Sequence, residues 1–358
     1  MSQENYLGYV HSFRGFAILN VVAIHAIAFA LLIPMDWQLD TTNPMVMLNE
    51  LLFHDATLFF ALISGLLFSS ILRARGYPSF YKSKVINVLL PYIFCTLVFT
   101  MMRWNASNTG LTLPDDAADY FTAILPNLIK GEAQFTFWYI PLLLILFILT
   151  PLLNKLTLLR SYSAAWVWLV MLLPLIFSRP EFSPETSQIN AGAVIYFSGA
   201  YTVGIFLGND LENLLNKLAR FRFYLIMTVI VSSAAIAWLM YNEINRFGYF
   251  SLQESLFYLQ KLSMATLVLL WLRNRGEKQP YWLKIFANEA FSIYFLHAFF
   301  ISLLGMHFWD FQHITDYQPW TMYFFGVANF VFSLAMSMIV VWLLRKMFGR
   351  RSRMLVGS

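Results

Sequence analysis

Charge is what this chain has least of. Asp, Glu, Lys and Arg together make up 12% of its 358 residues, while 59% are hydrophobic and the mean hydropathy is +0.61. That balance excludes an ordinary soluble globular domain. Cysteine is scarcer still: Cys95 is the single one, which excludes an intramolecular disulfide and any cysteine-based metal site. No metal is expected. Met1–Tyr9 carries no basic n-region, so no cleaved signal peptide is read there and the first apolar segment is expected to be retained. No internal repeat is visible, which weighs against a carrier built from inverted halves. No polar stretch is long enough for an appended soluble core.

What the chain does have is apolar length. Runs of about 17–25 residues, long enough to cross a bilayer, fall near 12–34, 48–71, 85–104, 135–154, 162–178, 190–209, 223–241, 253–272, 285–306 and 320–344. The expected fold is therefore all-α, a polytopic membrane protein with about ten transmembrane helices. With ten spans the two termini share a side, and nineteen of the 24 Lys and Arg collect there. Only Arg103, Lys130, Arg179 and Arg246 fall opposite, and Lys261 lies within a span. The positive-inside rule then makes both termini cytoplasmic. The net charge of +5 and the pI of about 9.2 come from these loops, so membrane lipids are the expected surface partner and nucleic acid is not.

One transmembrane domain over 1–358 is expected, with an external cap near 105–134 and a basic cytoplasmic tail near 345–358. In the cap, Pro114 and Pro126 bracket a short helix that Asp115 and Asp116 would start. Pro34, Pro91, Pro141, Pro151 and Pro174 lie in or at the ends of spans and read as kinks.

Ionisable groups inside a membrane usually face a partner or a cavity. Arg14 and His25 are eleven residues apart, roughly three helical turns, so they share a face about 16 Å apart. His25 falls near mid-bilayer, at the depth of Asp55 in the antiparallel second span. A histidine with a carboxylate partner is the usual general base, although His25 could equally serve only to bond a neighbouring helix. His54 points about 100° away from Asp55, so either can face inward. Arg14 reads as a membrane-edge residue or as a bidentate phosphate contact. The basic turn with Lys82 and Lys84 reads as a topology anchor or as the approach for an anionic ligand. Ser64 and Gly65 suit close helix packing or a polar contact. Tyr294 and His297 share the ninth span. Lys261 pairs, binds an anion or snorkels, and Trp138 belongs to an aromatic belt or a sugar site.

Taken in order, Arg14 with ten residues to His25, Phe59-Phe60 to Ser64-Gly65-Leu66, Lys82 to Pro91-Tyr92, Trp138-Tyr139-Ile140-Pro141 through Thr150-Pro151-Leu152-Leu153, and Ser292 to His297 resemble the integral-membrane acyltransferase family 3. The resemblance covers nearly the whole chain. It implies transfer of an acyl group, commonly acetyl and sometimes succinyl, from acyl-CoA to a hydroxyl of a cell-surface carbohydrate or its lipid-linked precursor. By this likeness acetyl-CoA is the co-substrate and the place is the bacterial plasma (inner) membrane. His25, supported by Asp55, would remove the hydroxyl proton, and Arg14, Lys82 and Lys84 would hold the donor. Trp138, Lys261, Tyr294 and His297 would position the acceptor or stabilise the oxyanion. A homodimer or polysaccharide-biosynthesis proteins are the protein partners to look for. Many relatives carry an arginine pair where this chain has Lys84 and Asn87, and lysine meets phosphate without the planar fork. No hydrolase-like domain of the kind some relatives carry is read after the tenth span. The rival class is a transporter or flippase of a polysaccharide intermediate, which has no evident need for the Arg14–His25 register.

Overall fold

The computed structural model describes residues 3–32, 40–102, 117–158, 164–179, 188–244, 250–311 and 318–357. Among these the chain is helical, with no strand. Seven helices are long and apolar enough to cross a membrane, or eight when Tyr281–Asn288 and Ala290–Gly305, bent by 79°, count as one span. Each expected run meets a helix. The runs near 48–71 and 85–104 both lie in the continuous stretch Pro44–Met101, and the run near 162–178 forms only the short apolar helix Ala165–Leu175. Pro34, Pro114, Asp115 and Asp116 lie outside the described residues.

The elements are α1 (Gln3–Leu32), α2 (Pro44–Phe53), α3 (Thr57–Leu67), α4 (Gly76–Lys84), α5 (Leu90–Met101), α6 (Ala117–Lys130), α7 (Tyr139–Leu158) and α8 (Ala164–Leu172). They continue as α9 (Ala191–Asn209), α10 (Leu211–Arg220), α11 (Arg222–Tyr241), α12 (Leu252–Asn274), α13 (Tyr281–Asn288), α14 (Ala290–Phe311), α15 (Pro319–Phe348) and α16 (Ser352–Val356). Two π-helical turns, Phe68–Leu72 and Val85–Leu89, flank the basic turn.

The chain divides into two compact units. The first comprises residues 1–17, 54–82 and 142–287, the second 18–53, 83–141 and 288–358. In the first, α3 and α9 touch backbone to backbone. A Cβ at Gly65 would lie 2.1 Å from the Tyr201 carbonyl oxygen, and one at Gly204 2.1 Å from that of Leu62. Gly204 and Gly208 form a small-xxx-small pair that lets dispersion act across the full contact, the main attraction available between helices in lipid. Gly65 is thus a packing residue.

In the second unit, Tyr92 and Asn127 tie α5 to α6 through the Leu128 carbonyl and the Thr100 hydroxyl. Pro126 sits inside α6 and does not end it, because losing one backbone bond there is tolerated where α5 supports the helix. The exposed residues of α6 include Phe121, Leu125 and Ile129, an i, i+4, i+8 stripe. This part of the expected cap presents an apolar outer face, of the kind that lies along a bilayer interface. The tail is folded as well: Ser352 and Val356 are buried, Cys95 Sγ contacts the Leu355 carbonyl, and Arg345 pairs with Glu289 at 2.6 Å.

Candidate active site

In the second unit, α1 is held at two glycines. A Cβ at Gly305 of α14 would lie 2.1 Å from the Phe29 ring, and one at Gly326 of α15 2.7 Å from Ile27 Cα. These close approaches fix the stretch of α1 that carries His25. The loop 131–138 completes the surroundings. Gly131 adopts φ +72°, and a Cβ there would lie 2.6 Å from the Trp138 backbone, so only glycine lets the loop fold back on itself. The Tyr294 hydroxyl donates to the Thr136 carbonyl, fastening the loop to α14. Its proton is thereby committed to the backbone, which makes Tyr294 a positioning residue.

His25, half-buried, meets two rings. Phe135 lies edge-on at 5.4 Å between centroids, and His297 lies 5.6 Å away, tilted by 34°. His297 is fully buried, with Nδ1 at 3.0 Å from the Ile293 carbonyl and 2.8 Å from that of Tyr294. Carbonyls only accept, so Nδ1 carries the proton and Nε2 keeps its lone pair. Among the described residues that Nε2 has no hydrogen-bond partner. The ring of His25 thus lies beside an imidazole whose tautomer is fixed and whose Nε2 lone pair is unused, an arrangement able to accept a proton.

The carboxylate that sequence reading offered to His25 has its own partners in the first unit. Asp55 interrupts the α2–α3 path with a left-handed φ of +53°, a conformation aspartate tolerates better than a branched residue. Arg179 Nη2 lies 2.9 Å from Asp55 Oδ1, and the Tyr196 hydroxyl donates to Oδ2 at 2.6 Å. Arg179 also reaches Glu254 at 3.3 Å and donates to His54 Nε2 at 3.1 Å. The histidine set beside Asp55 is His54, 3.7 Å away and stacked on Phe257. Ser178 holds the Arg179 segment against the start of α12, receiving the Ser251 N–H and donating to the Ser251 carbonyl.

Burial pulls the Arg179 guanidinium toward neutrality; Asp55 and Glu254 more than cancel this and hold it above its ordinary value, charged throughout. His54, Asp55 and Glu254 offer ligand atoms within 4.8 Å of one another. With Arg179 against both carboxylates, the central positive charge is already supplied by the protein.

Arg179 was read from sequence only as an outer-side cation. Its signals were rarity on that side and the Ser251-x-x-Glu254 capping pattern, in which Ser251 accepts from the Glu254 N–H. The Glu254 side chain turns instead to Arg179.

Arg14 is half-buried beside Gly15, where a Cβ would lie 2.1 Å from the Leu283 carbonyl oxygen. Lys82 is exposed and Lys84 half-buried. Trp138 is half-buried and edge-on to Tyr139. Lys261 is 1% exposed, so it is enclosed by protein and does not snorkel.

A helical, multi-pass domain with paired imidazoles among its apolar helices is the setting of a membrane-embedded transferase. The chain belongs to the acyltransferase 3 family: the model of its acyltransferase domain matches residues 7–346. It is also similar to a Bacillus subtilis (strain 168) protein named "Putative membrane-bound acyltransferase YfiQ", 22% identical over 309 residues that cover 81% of this chain and 80% of the relative. No solved structure matches. The protein is a multi-pass membrane acyltransferase.

Proposed function

We propose that this acyltransferase moves an acyl group, acetyl before longer chains, from acyl-CoA to a hydroxyl of a cell-surface carbohydrate or its lipid-linked precursor. Its place is the bacterial plasma (inner) membrane, with both termini cytoplasmic by the charge distribution. The observation that carries the reading is the His25–His297 pair. In this reading His25 takes the acceptor's proton as the hydroxyl oxygen attacks the thioester carbonyl. The tetrahedral intermediate then collapses, and the departing thiolate receives the proton. Two imidazolium ions this close repel, so the pair carries one proton at a time, which favours handing it on. A covalent acyl-histidine is the variant route.

Donor phosphates are assigned to Arg14, through its bidentate fork, and to Lys82 and Lys84 as point charges. Trp138 and Lys261 remain assigned to the acceptor, and Asp55 to a supporting role as part of its own charged cluster. The flippase alternative draws on that cluster, because charged groups at an interrupted helix are a carrier feature.

The test is acetyl-CoA consumption by purified protein with lipid-linked glycan, alongside mass spectrometry of surface glycans. His25→Ala is expected to cut transfer by about 10²–10⁴-fold at unchanged protein level. Transfer at the wild-type rate would sink the assignment. Glycan movement without acetyl-CoA consumption would favour the flippase.

A further inference from the structure

Cations at the edge of a membrane domain usually do no more than fix topology. Around the α10–α11 corner of the first unit they fall into two groups. Glu212, the acid within α10, is taken by Arg273 at 2.8 Å and by the Tyr9 hydroxyl at 3.1 Å. Arg273 also donates to Asn216 at 2.7 Å, and Arg275 lies over the Trp271 ring at 4.7 Å. The cations at the end of α12 are thus engaged within the protein. Lys217, Arg220 and Arg222 are exposed, and none of their side chains has an ion pair or hydrogen bond among the described residues. Asp210, ahead of α10, accepts from Asn213 at 2.8 Å, and from Asn213 to Asn242 the sequence holds no Asp or Glu.

Helix geometry sets where these cations point. Leu211 and Leu215 are buried and define the protein-facing side of α10. Lys217 and Arg220 follow Leu215 by two and five residues, about 200° and 140° around the helix, so both project away from the protein as neighbours on one face. Phe221 joins α10 to α11, and Arg222 opens α11. Beside them stand three rings. Phe221, Phe223 and Tyr224 are 55%, 66% and 65% exposed, with the Tyr224 ring 6.2 Å from that of Phe221 and 5.8 Å from that of Phe223. The span they begin is the least enclosed of the seven, with 22% of its apolar window buried inside the protein.

We infer that the α10–α11 corner binds one acidic phospholipid, with its headgroup on Lys217, Arg220 and Arg222 and its chains along α11. The chemistry of the corner decides the partner. Three cations without a carboxylate select an anion. Exposed rings beside them, at the start of a span left open on most of its surface, select an anion that carries hydrocarbon with it. A dissolved phosphate meets the cations and leaves the rings in water, whereas a neutral lipid covers the rings and leaves three positive charges without a partner.

The test uses full-length protein delipidated in neutral detergent, with native mass spectrometry following the first lipid to bind. Phosphatidylglycerol is the acidic probe, and phosphatidylcholine with the same chains is the neutral one. Phosphatidylglycerol is expected to bind more tightly. Lys217→Gln, Arg220→Gln and Arg222→Gln should each weaken it about fivefold, and together about a hundredfold, while phosphatidylcholine binding stays as it was. Phe223→Ser should weaken phosphatidylglycerol as well, which a site for a dissolved anion would not feel. Arg75→Gln with Lys155→Gln, exposed cations of the same unit on neither helix, should leave it unchanged. A fall in that control equal to the fall in the triple variant would reveal a general electrostatic belt and overturn the site. Equal wild-type binding of the two lipids, undiminished phosphatidylglycerol binding in the triple variant or in Phe223→Ser, or displacement of the lipid by inorganic phosphate beyond that by sodium chloride at equal ionic strength would overturn it too.

Discussion

Arg179 is the residue whose removal should damage the first unit most. Its guanidinium lies 2.9 Å from Asp55 and 3.3 Å from Glu254, with side-chain exposures of 18%, 0% and 10% for the three residues. Arg179→Met keeps an unbranched apolar stem and deletes the charge, leaving two carboxylates a few ångströms apart in a nearly dry site. Removing one partner of a buried pair costs about 3–5 kcal/mol. For a domain of this size that is a fall of roughly 5–15 °C in melting temperature.

The assay is fluorescence-detected thermal unfolding in detergent, on Arg179→Met and on the triple variant Arg179→Met, Asp55→Asn, Glu254→Gln. The triple variant should recover much of the loss, because no unpaired charge remains. A melting temperature of Arg179→Met within about 2 °C of wild type would refute the reasoning, as that is below what about 1 kcal/mol produces. So would a triple variant less stable than the single one.

Two further outcomes follow from the packing. Gly204→Ala drives a Cβ to 2.1 Å from the Leu62 carbonyl oxygen, which cannot rotate away; it should destabilise by about 1–3 kcal/mol or more. Gly8→Ala, whose Cβ would meet only Gln279 Cγ at 4.0 Å, is the tolerated control in the same unfolding measurement. Tyr294→Phe frees the Thr136 carbonyl and should cost about 1 kcal/mol of stability. It should lower kcat and leave the KM for acetyl-CoA unchanged, which steady-state kinetics will separate.

The spans were legible because a bilayer imposes a length that composition alone reveals. His25 and His297 stood out in the sequence because an ionisable group in such a run usually faces a partner or a cavity, and the structure sets the two rings 5.6 Å apart. The partners were not legible. Matching His25 with Asp55 by depth uses one coordinate, whereas the groups around Asp55 are chosen by helix rotation and by which distant segment lies alongside: Arg179, Tyr196 and Glu254. The burial of Gln134 was hidden because a glutamine in a polar loop looks solvated. Only the fold shows that Gly131 and Tyr294 turn that loop inward. Pro126 misled because helix-breaking rules describe an isolated helix, whereas α6 leans on α5.

The pairing of Asp55 with Arg179 also bears on the order in which the protein is made. His54 and Arg179 are separated by 125 residues, which at translation rates of about 5–20 residues per second is roughly 6–25 s. Glu254 follows later still. For that interval the second apolar segment has left the ribosome with a carboxylate whose counter-charge has not yet been synthesised. Truncation products that end before residue 179 keep a carboxylate whose counter-charge is missing, and they should be substrates for quality control.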